Sequence, residues 1–135
     1  MLSLSCYECA GGLRRVTADA TVGSRGLTRK DATMYMNVFE YRLRDDVDRG
    51  AYQAHGERMY ALVTSDPSFE FIEMKSYPVS ADEGVILERF GSLEGARRWA
   101  ANPEHQATMQ YGREHFYAWY RGTACVVDHE YGATT

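Results

Sequence analysis

The chain has 135 residues, of which 44% are hydrophobic and 13% aromatic, and it carries a formal net charge of −4. This length suits one ordinary domain, and the chain has neither the run of about 18 apolar residues that a membrane span needs nor the apolar stretch of a secretory signal. We therefore expect a cytoplasmic protein without disulfides, since three cysteines form no even framework.

The charge is unevenly distributed along the chain. Residues 1–33 hold five basic and three acidic side chains, whereas residues 34–135 hold ten and sixteen. An acidic domain without a basic stripe is a poor partner for a phosphate backbone, so we expect no nucleic-acid binding. Residues 1–33 are rich in Gly, Ser and Thr and lack apolar periodicity, which predicts a mobile N-terminal extension. Cys6 and Cys9 have metal-pair spacing, but a structural site takes four ligands, so we expect no metal there.

The first half of residues 34–135 predicts a strand, a helix and a hairpin. Residues Tyr35–Leu43 alternate in character and predict the first strand. Asp45 or Asp46 can cap the amphipathic helix that follows. Phe69–Tyr77 and Val85–Phe90 are rich in strand-forming residues and close enough in sequence to pair as a hairpin.

The second half predicts an interrupted helix and a last strand. Ser92 can cap a helix, and the pair Asn102 and Pro103 then restarts it, with Asn as cap and Pro at the first helical position. The second segment is predicted to continue to around Trp119. Thr123–Tyr131 is then predicted as the closing strand.

The resulting order βαββαβ predicts an α+β, ferredoxin-like fold, with a four-stranded antiparallel sheet and two helices on one of its faces. The later strands carry apolar residues on both faces, for example Phe71 against Ile72 and Val85 against Ile86. A sheet with one such face in water would expose a large apolar patch. We therefore expect a homodimer that forms through the sheet face.

One stretch of residues 85–120 resembles a known family. It reads VILERFGSLEGARRWAANPEHQATMQYGREHFYAWY, with a Ser-capped helix that carries Trp99, an Asn-Pro-Glu-His restart and a late aromatic group, and a cysteine-bearing strand follows it. In this order the residues resemble the antibiotic biosynthesis monooxygenase (ABM) domains. The resemblance implies a dimeric α+β barrel and a small monooxygenase that needs no flavin or metal and acts on an aromatic, polyphenolic or quinol-type substrate.

The same resemblance implies a substrate cleft between the second helix and the helix-facing side of the first strand. Oxygenation without a cofactor needs a base to remove a proton from the substrate and a donor to stabilise the anion. We predict four catalytic candidates: Asn37, Trp99, His105 and His115. Either histidine is a possible base, and either Asn37 or Tyr41 is a possible donor. We predict four substrate-binding candidates: Phe39, Tyr41, Met109 and Tyr111.

Several of these residues have a second interpretation. Trp99 is equally suited to a core position. His105, in the first turn of a helix segment, and His115, on an outer turn, both suit solvated positions. Tyr111, His115 and Trp119 form a helical stripe that suits either an aromatic ligand or a dimer edge. Cys125 lies in an apolar strand, where a thiol is usually inert packing.

Two other functions remain open on the same fold. In the haem-degrading branch of the family a strand-one asparagine, a helix-two tryptophan and a helix-two histidine act together. Here those positions fall on Tyr41, Trp99 and Met109, so only the tryptophan matches and we expect no haem or other cofactor. The alternative of a different class is a non-catalytic, ligand-binding or regulatory homodimer.

Overall fold

The structure is a computed structural model that describes residues 33–133. Apart from Thr33, the predicted N-terminal extension lies outside the described residues, and so does the pair Cys6 and Cys9. The elements are β1 (Tyr35–Leu43), α1 (Arg49–Ser65), β2 (Phe71–Pro78), β3 (Glu83–Phe90), α2 (Leu93–Ala101), α3 (Pro103–His115) and β4 (Tyr117–Val126). The strands form one antiparallel sheet in the order β2-β3-β1-β4, which confirms the ferredoxin-like fold.

Strand β1 lies in the middle of the sheet, between β3 and β4. Its alternating pattern is as predicted, because Tyr35, Asn37, Phe39, Tyr41 and Leu43 are all buried. These side chains point to the helix-facing side of the sheet, where they join the buried residues of the helices in one core. A single strand thus contributes to the core along its whole length.

Helix α1 begins later than predicted. Asp48, and not Asp45 or Asp46, is its N-cap, because the Asp48 carboxylate accepts a hydrogen bond from the Ala51 amide at 2.9 Å. The two earlier aspartates lie in a turn that closes with a bond from the Val47 amide to the Arg44 carbonyl at 3.2 Å.

Strand β2 begins at Phe71, two residues after its predicted start. The intervening chain forms a 3-10 turn at Pro67–Phe69, in which the Asp66 carboxylate accepts from the Ser68 amide at 2.8 Å. Glu70 then adopts a left-handed backbone conformation with φ of 52°, which redirects the chain into the strand. The predicted hairpin is confirmed, since β2 and β3 pair antiparallel.

The interruption of the second helix at Asn102 is confirmed, but its predicted end is wrong. Helix α3 ends at His115, and the next residues start β4 instead of continuing to Trp119. Tyr117 pairs with Leu43 and Tyr120 pairs with Tyr41, so pairing with β1 overrides the helical spacing. Strand β4 ends at Val126, five residues before its predicted end at Tyr131.

The other side of the sheet, here called the outer sheet face, is formed by the alternate residues of the strands. Its centre is the pair of Val38 and Leu87, which lie opposite each other on β1 and β3 and are half-buried. Charged side chains surround this pair and form ion pairs such as Arg121–Glu40 at 2.7 Å and Arg89–Glu73 at 2.9 Å. Among the described helices, none is long and apolar enough to cross a membrane.

Candidate functional site

A buried polar pair lies on the helix-facing side of the sheet. Asn37 on β1 and Glu88 on β3 are direct cross-strand partners, and only 2% and 4% of their surfaces are exposed. The Asn37 amide donates a hydrogen bond to the Glu88 carboxylate, with 3.2 Å between Nδ2 and Oε2. A carboxylate removed from water needs such donors, because burying a charge without them costs several kcal/mol. The sheet therefore holds Asn37 in a defined orientation.

A second buried pair lies where the second helix is interrupted. The Trp99 and His105 rings stack with 3.9 Å between centroids at an angle of 15°, and both side chains are buried. Nδ1 of His105 is 3.0 Å from the Trp99 carbonyl oxygen. A carbonyl can only accept, so Nδ1 carries the hydrogen. The neutral imidazole then has its basic lone pair on Nε2.

Pro103 explains why the Trp99 carbonyl is available to His105. In an uninterrupted helix this carbonyl would accept from the amide four residues later. That residue is Pro103, which has no amide hydrogen. The carbonyl instead accepts from the Asn102 amide at 3.1 Å and from the His105 ring, while the Asn102 side chain caps the His105 amide at 3.0 Å. The helix interruption thus fixes the tautomer of His105.

The two pairs share one interior, between the helix-facing side of the sheet and helices α2 and α3. We call Asn37, Glu88, Trp99 and His105 the buried polar group. Met109 follows His105 by one helical turn and is also buried, on the same side of α3. These buried residues include a base, an amide donor, a carboxyl group and an aromatic ring, which are kinds of group that proton removal uses.

Two of the predicted site residues lie elsewhere. His115 follows His105 by ten residues on the same helix, which is about 15 Å along the axis. Its side chain is 53% exposed. Tyr111 is 39% exposed and stacks on His55 with 4.6 Å between ring centroids. These residues form a surface cluster, because Tyr111 also contacts His115 at 4.3 Å.

The predicted substrate-binding residues of β1 lie toward the end of the strand. Phe39 is fully buried and stacks on Tyr41 and on Tyr120, with 5.9 Å between ring centroids in each case. Tyr41 follows Asn37 by four residues, which is about 13 Å along a strand. It lines a cavity of about 310 Å³ near the turn between β2 and β3. Tyr41 and Asn37 therefore face different parts of the interior.

No cluster that could hold a metal ion is present within residues 33–133, where no three His, Cys, Asp or Glu side chains are suitably grouped. Glu88 is the member of the buried polar group that we did not predict. Its signal in the sequence is a charge at a core-facing strand position, between Ile86 and Phe90.

Solved structures of other proteins share this architecture, whereas no protein-family model matches the chain. Over 104 residues it is 26% identical to the uncharacterized protein YqjZ of Bacillus subtilis, with 77% of this chain and 89% of that protein covered.

Solved structures match over most of their length. SnoaB, a cofactor-independent oxygenase from Streptomyces nogalater, matches with a TM-score of 0.60 and 12% identity, over 73% of this chain and 97% of that one. Rv0793 from Mycobacterium tuberculosis matches with a TM-score of 0.62 and 16% identity, over 73% and 99%. A candidate antibiotic biosynthesis monooxygenase from Nitrosomonas europaea matches with a TM-score of 0.59 and 11% identity, over 75% and 96%.

The chain shares the ferredoxin-like fold of these structures. At these identities the likeness is one of architecture, and it agrees with the resemblance carried by residues 85–120. The chemistry of the site depends on the residues that this chain carries.

Proposed function

We propose that the protein is a small ABM-like monooxygenase that needs no flavin or metal and acts on a phenolic aromatic or quinol-type substrate. The observation that carries the proposal is the hydrogen bond from His105 to the Trp99 carbonyl, which leaves Nε2 as the basic atom of a buried imidazole. The fold shared with SnoaB, which is described as a cofactor-independent oxygenase, supports this choice of reaction.

In this mechanism Nε2 of His105 takes a proton from the substrate. The resulting anion is electron-rich and reacts with molecular oxygen directly. With an anthrone, a new C–O bond forms at the CH₂ carbon, which becomes a carbonyl. The second oxygen atom leaves as water together with both hydrogens of that carbon, so one oxygen molecule is consumed for each substrate.

Asn37 and Trp99 support this step. The Asn37 amide is held by Glu88 and donates to the oxyanion that forms as the proton leaves. Trp99 stacks on the imidazole and fixes its plane against the substrate. A buried setting also strengthens the hydrogen bond to the anion, because little water competes for it.

We further propose that the protein acts as a homodimer through the outer sheet face. In the described residues the helices pack on the opposite face of the sheet, and the chain after β4 reaches the outer sheet face at Arg89, which forms an ion pair with Glu130. The centre of this face is the apolar pair Val38 and Leu87. A Val38→Asp variant should sediment as a single chain, because it places a charge in the apolar centre of the contact. Tyr60→Asp, on exposed α1, is the matched control and should leave the mass at two chains. Sedimentation of the wild type at one chain mass, at micromolar concentration, would rule out this dimer.

Oxygen uptake by the purified full-length protein tests the proposed reaction. A panel of anthrones and quinols is supplied without added metal or flavin, and His105→Asn, Asn37→Ala and Trp99→Phe are compared with the wild type. We expect uptake to fall by about 10²-fold or more in His105→Asn, the range for loss of a general base. His115→Asn is the matched control and should retain wild-type uptake.

The outcome also separates the proposed reaction from the alternative of a binding or regulatory dimer. That alternative is favoured by one observation, the cavity near Tyr41 that lies apart from the buried polar group. No uptake across the panel from a folded wild-type protein would reject the oxygenase.

A further inference from the structure

The 3-10 turn before β2 is packed closely against the start of α2. Gly95, in the first turn of α2, allows this approach, because a Cβ there would lie 2.8 Å from Cβ of Glu70 and 2.8 Å from the carbonyl carbon of Phe69. Such distances are far inside van der Waals contact, so a side chain does not fit here. About one helical turn later, Arg98 donates to the Ser68 carbonyl at 3.3 Å. The turn therefore contacts two successive turns of the helix.

Glu70 ends this turn in a conformation that its side chain disfavours. With φ of 52° and ψ of 33°, it is the one non-glycine residue with a positive φ among residues 33–133. A glycine would adopt the same conformation without the steric cost of a Cβ. Residues in this region persist where their surroundings define them strongly, and they cluster at functional sites. A glutamate here indicates that its side chain makes a contact that glycine would lack.

That contact is with the N-cap of α2. The Glu70 carboxylate accepts a hydrogen bond from the Ser92 hydroxyl, and the Ser92 oxygen accepts from the Gly95 amide at 3.0 Å. The Gly91 amide also donates to the Glu70 carbonyl at 2.7 Å. A serine hydroxyl has one hydrogen, so its donation to Glu70 leaves the lone pairs of the oxygen for the helix amide. Glu70 thus orients the cap that holds the first turn of α2.

The same helix carries Trp99, which belongs to the buried polar group. The Phe69 ring of the turn packs edge-on against the Trp99 indole, with 5.3 Å between centroids, and the indole stacks on the His105 ring. The Trp99 carbonyl is also the acceptor for Nδ1 of His105. A shift of α2 against the turn would therefore move both groups that orient the imidazole.

Helix α2 depends on its neighbours for its position. It spans nine residues, Leu93–Ala101, and an isolated helix of this length is marginal in water. Its N-cap therefore contributes a large part of its stability. Trp99 lies in the last turn of the same short helix, so loss of the contact at the first turn should be transmitted to Trp99.

We propose that Glu70 is a positioning residue of the candidate site. Its carboxylate holds the Ser92 cap and with it α2, so that Trp99 presents its indole and its carbonyl to the His105 ring. Glu70 is exposed and acts on the imidazole through these intermediate residues. The consequence for oxygen uptake rests on the proposed function, whereas the consequence for the imidazole does not.

Nitrogen-15 NMR of the full-length protein measures the tautomer of the His105 ring. We expect Glu70→Ala to lower the ratio of the Nδ1–H form to the Nε2–H form about fivefold, which corresponds to the loss of about 1 kcal/mol from one neutral hydrogen bond. Glu70→Gln keeps an oxygen that accepts from Ser92 and should keep the wild-type ratio. Glu94→Ala removes an exposed carboxylate from the first turn of α2, and as the matched control it should also keep this ratio. An unchanged ratio in Glu70→Ala would overturn the proposal.

Glu70→Gly separates positioning from stability. Glycine suits the left-handed backbone of the turn but does not restore the hydrogen bond to Ser92. Its free energy of unfolding in urea should therefore exceed that of Glu70→Ala, while its tautomer ratio stays low. A merely structural role predicts that the ratio recovers together with the stability, and that result would overturn the proposal.

Ser92→Ala tests the route from Glu70 to the helix. If Glu70 acts through Ser92, the double variant with Glu70→Ala should show the same tautomer ratio as Ser92→Ala alone, because changes within one network are not additive. A double variant whose effect is the product of the two single effects would contradict this route.

Oxygen uptake distinguishes the role of Glu70 from the proposed reaction. In Glu70→Ala kcat should fall about fivefold with KM unchanged, because the hydrogen bond to the Trp99 carbonyl also stabilises the imidazolium that forms when Nε2 takes the proton. Glu70→Gln should retain wild-type uptake. A wild type without uptake would reject the oxygenase, and the tautomer ratio would then decide the role of Glu70. Uptake by the wild type with an unchanged ratio in Glu70→Ala would retain the oxygenase and reject this role.

Discussion

The pair Asn37 and Glu88 gives the sharpest prediction, because exchange of one amide for a carboxylate reverses the interaction. In Asn37→Asp two carboxylates would lie about 3.2 Å apart in the interior. Coulomb repulsion at that distance is about 5 kcal/mol for an effective dielectric constant near 20. At pH 7 the pair avoids this repulsion by taking up one proton, at a cost of about 4 kcal/mol for a carboxyl group whose ordinary pKa is about 4.3. That cost is a large part of the roughly 5–15 kcal/mol by which whole domains are stable.

Asn37→Ala provides the comparison, because it removes the donor without adding a charge. Its cost is about 1–3 kcal/mol, the usual penalty for a buried group that loses a partner. The gap between the two variants at neutral pH therefore measures the cost of this proton uptake. Acid should close the gap, because the proton that the two carboxyl groups share costs less free energy to bind as the pH falls.

Urea unfolding of the wild type and both variants, followed by circular dichroism at about pH 7 and pH 4.5, measures these differences. Glu88→Gln in the Asn37→Asp background should restore most of the lost stability, because it leaves a single carboxylate facing an amide. The reasoning would be refuted if Asn37→Asp were as stable as Asn37→Ala at neutral pH, or if acid left its deficit unchanged.

Three further predictions concern the framework of the fold. A Cβ at Gly84 would lie 2.5 Å from the hydroxyl oxygen of Tyr41 on the neighbouring strand. Gly84→Ala should therefore lower the free energy of unfolding by about 1–3 kcal/mol in a urea titration, and an unchanged midpoint would contradict this close approach. Pro103→Ala restores an amide donor to the carbonyl four residues earlier, so nitrogen-15 NMR should show the His105 ring as a mixture of tautomers; a single unchanged tautomer would contradict the role of the proline. Asp66 has a lowered pKa because the Ser68 amide donates to it, so its stabilisation is present above the unfolded value of 3.8 and is lost as the pH falls through the lower folded value. In Asp66→Asn the thermal midpoint should therefore fall less between about pH 5 and 2 than in the wild type, and parallel curves would contradict this.

The parts of the fold that local signals control could be predicted from the sequence. Core-facing and outward-facing residues alternate along β1, and this period of two can be recognised from neighbouring residues. The cap Ser92 accepts from the Gly95 amide, which is only three residues away. The interruption at Asn102 likewise needs only its neighbour Pro103. Each of these depends on a few consecutive residues, so the sequence alone is sufficient.

Errors arose where distant residues compete with local ones. Three aspartates near the start of α1 have similar capping ability, and the path of the chain after β1 selects Asp48. The start of β4 depends on Tyr117 pairing with Leu43, 74 residues earlier. Such pairing cannot be recognised in a helical periodicity that continues from His115 into the strand.

The candidate site shows the same division. The side of β1 on which Asn37 lies follows from the strand pattern, whereas Glu88 gains its meaning from an amide 51 residues away. The distance of His115 from His105 follows from the geometry of α3, because two residues ten positions apart on a helix lie too far apart to share one cleft. Burial of His105 depends on the packing of α3 against the sheet. This packing cannot be deduced directly from a single sequence.

The helix interruption also changes how related sequences should be compared. Pro103 acts on the imidazole of His105 through the amide hydrogen that it lacks, so it belongs to the chemistry of the site as much as to the architecture of the helix. The relevant pattern is Trp-x₃-Pro-x-His. In this pattern the carbonyl of the tryptophan can accept from the histidine ring, because the proline has no amide hydrogen to bond it. In chains that keep the histidine but lose this proline, the hydrogen of the neutral imidazole could lie on either nitrogen. An alignment that counts only side chains in contact with a ligand would score such chains as equivalent.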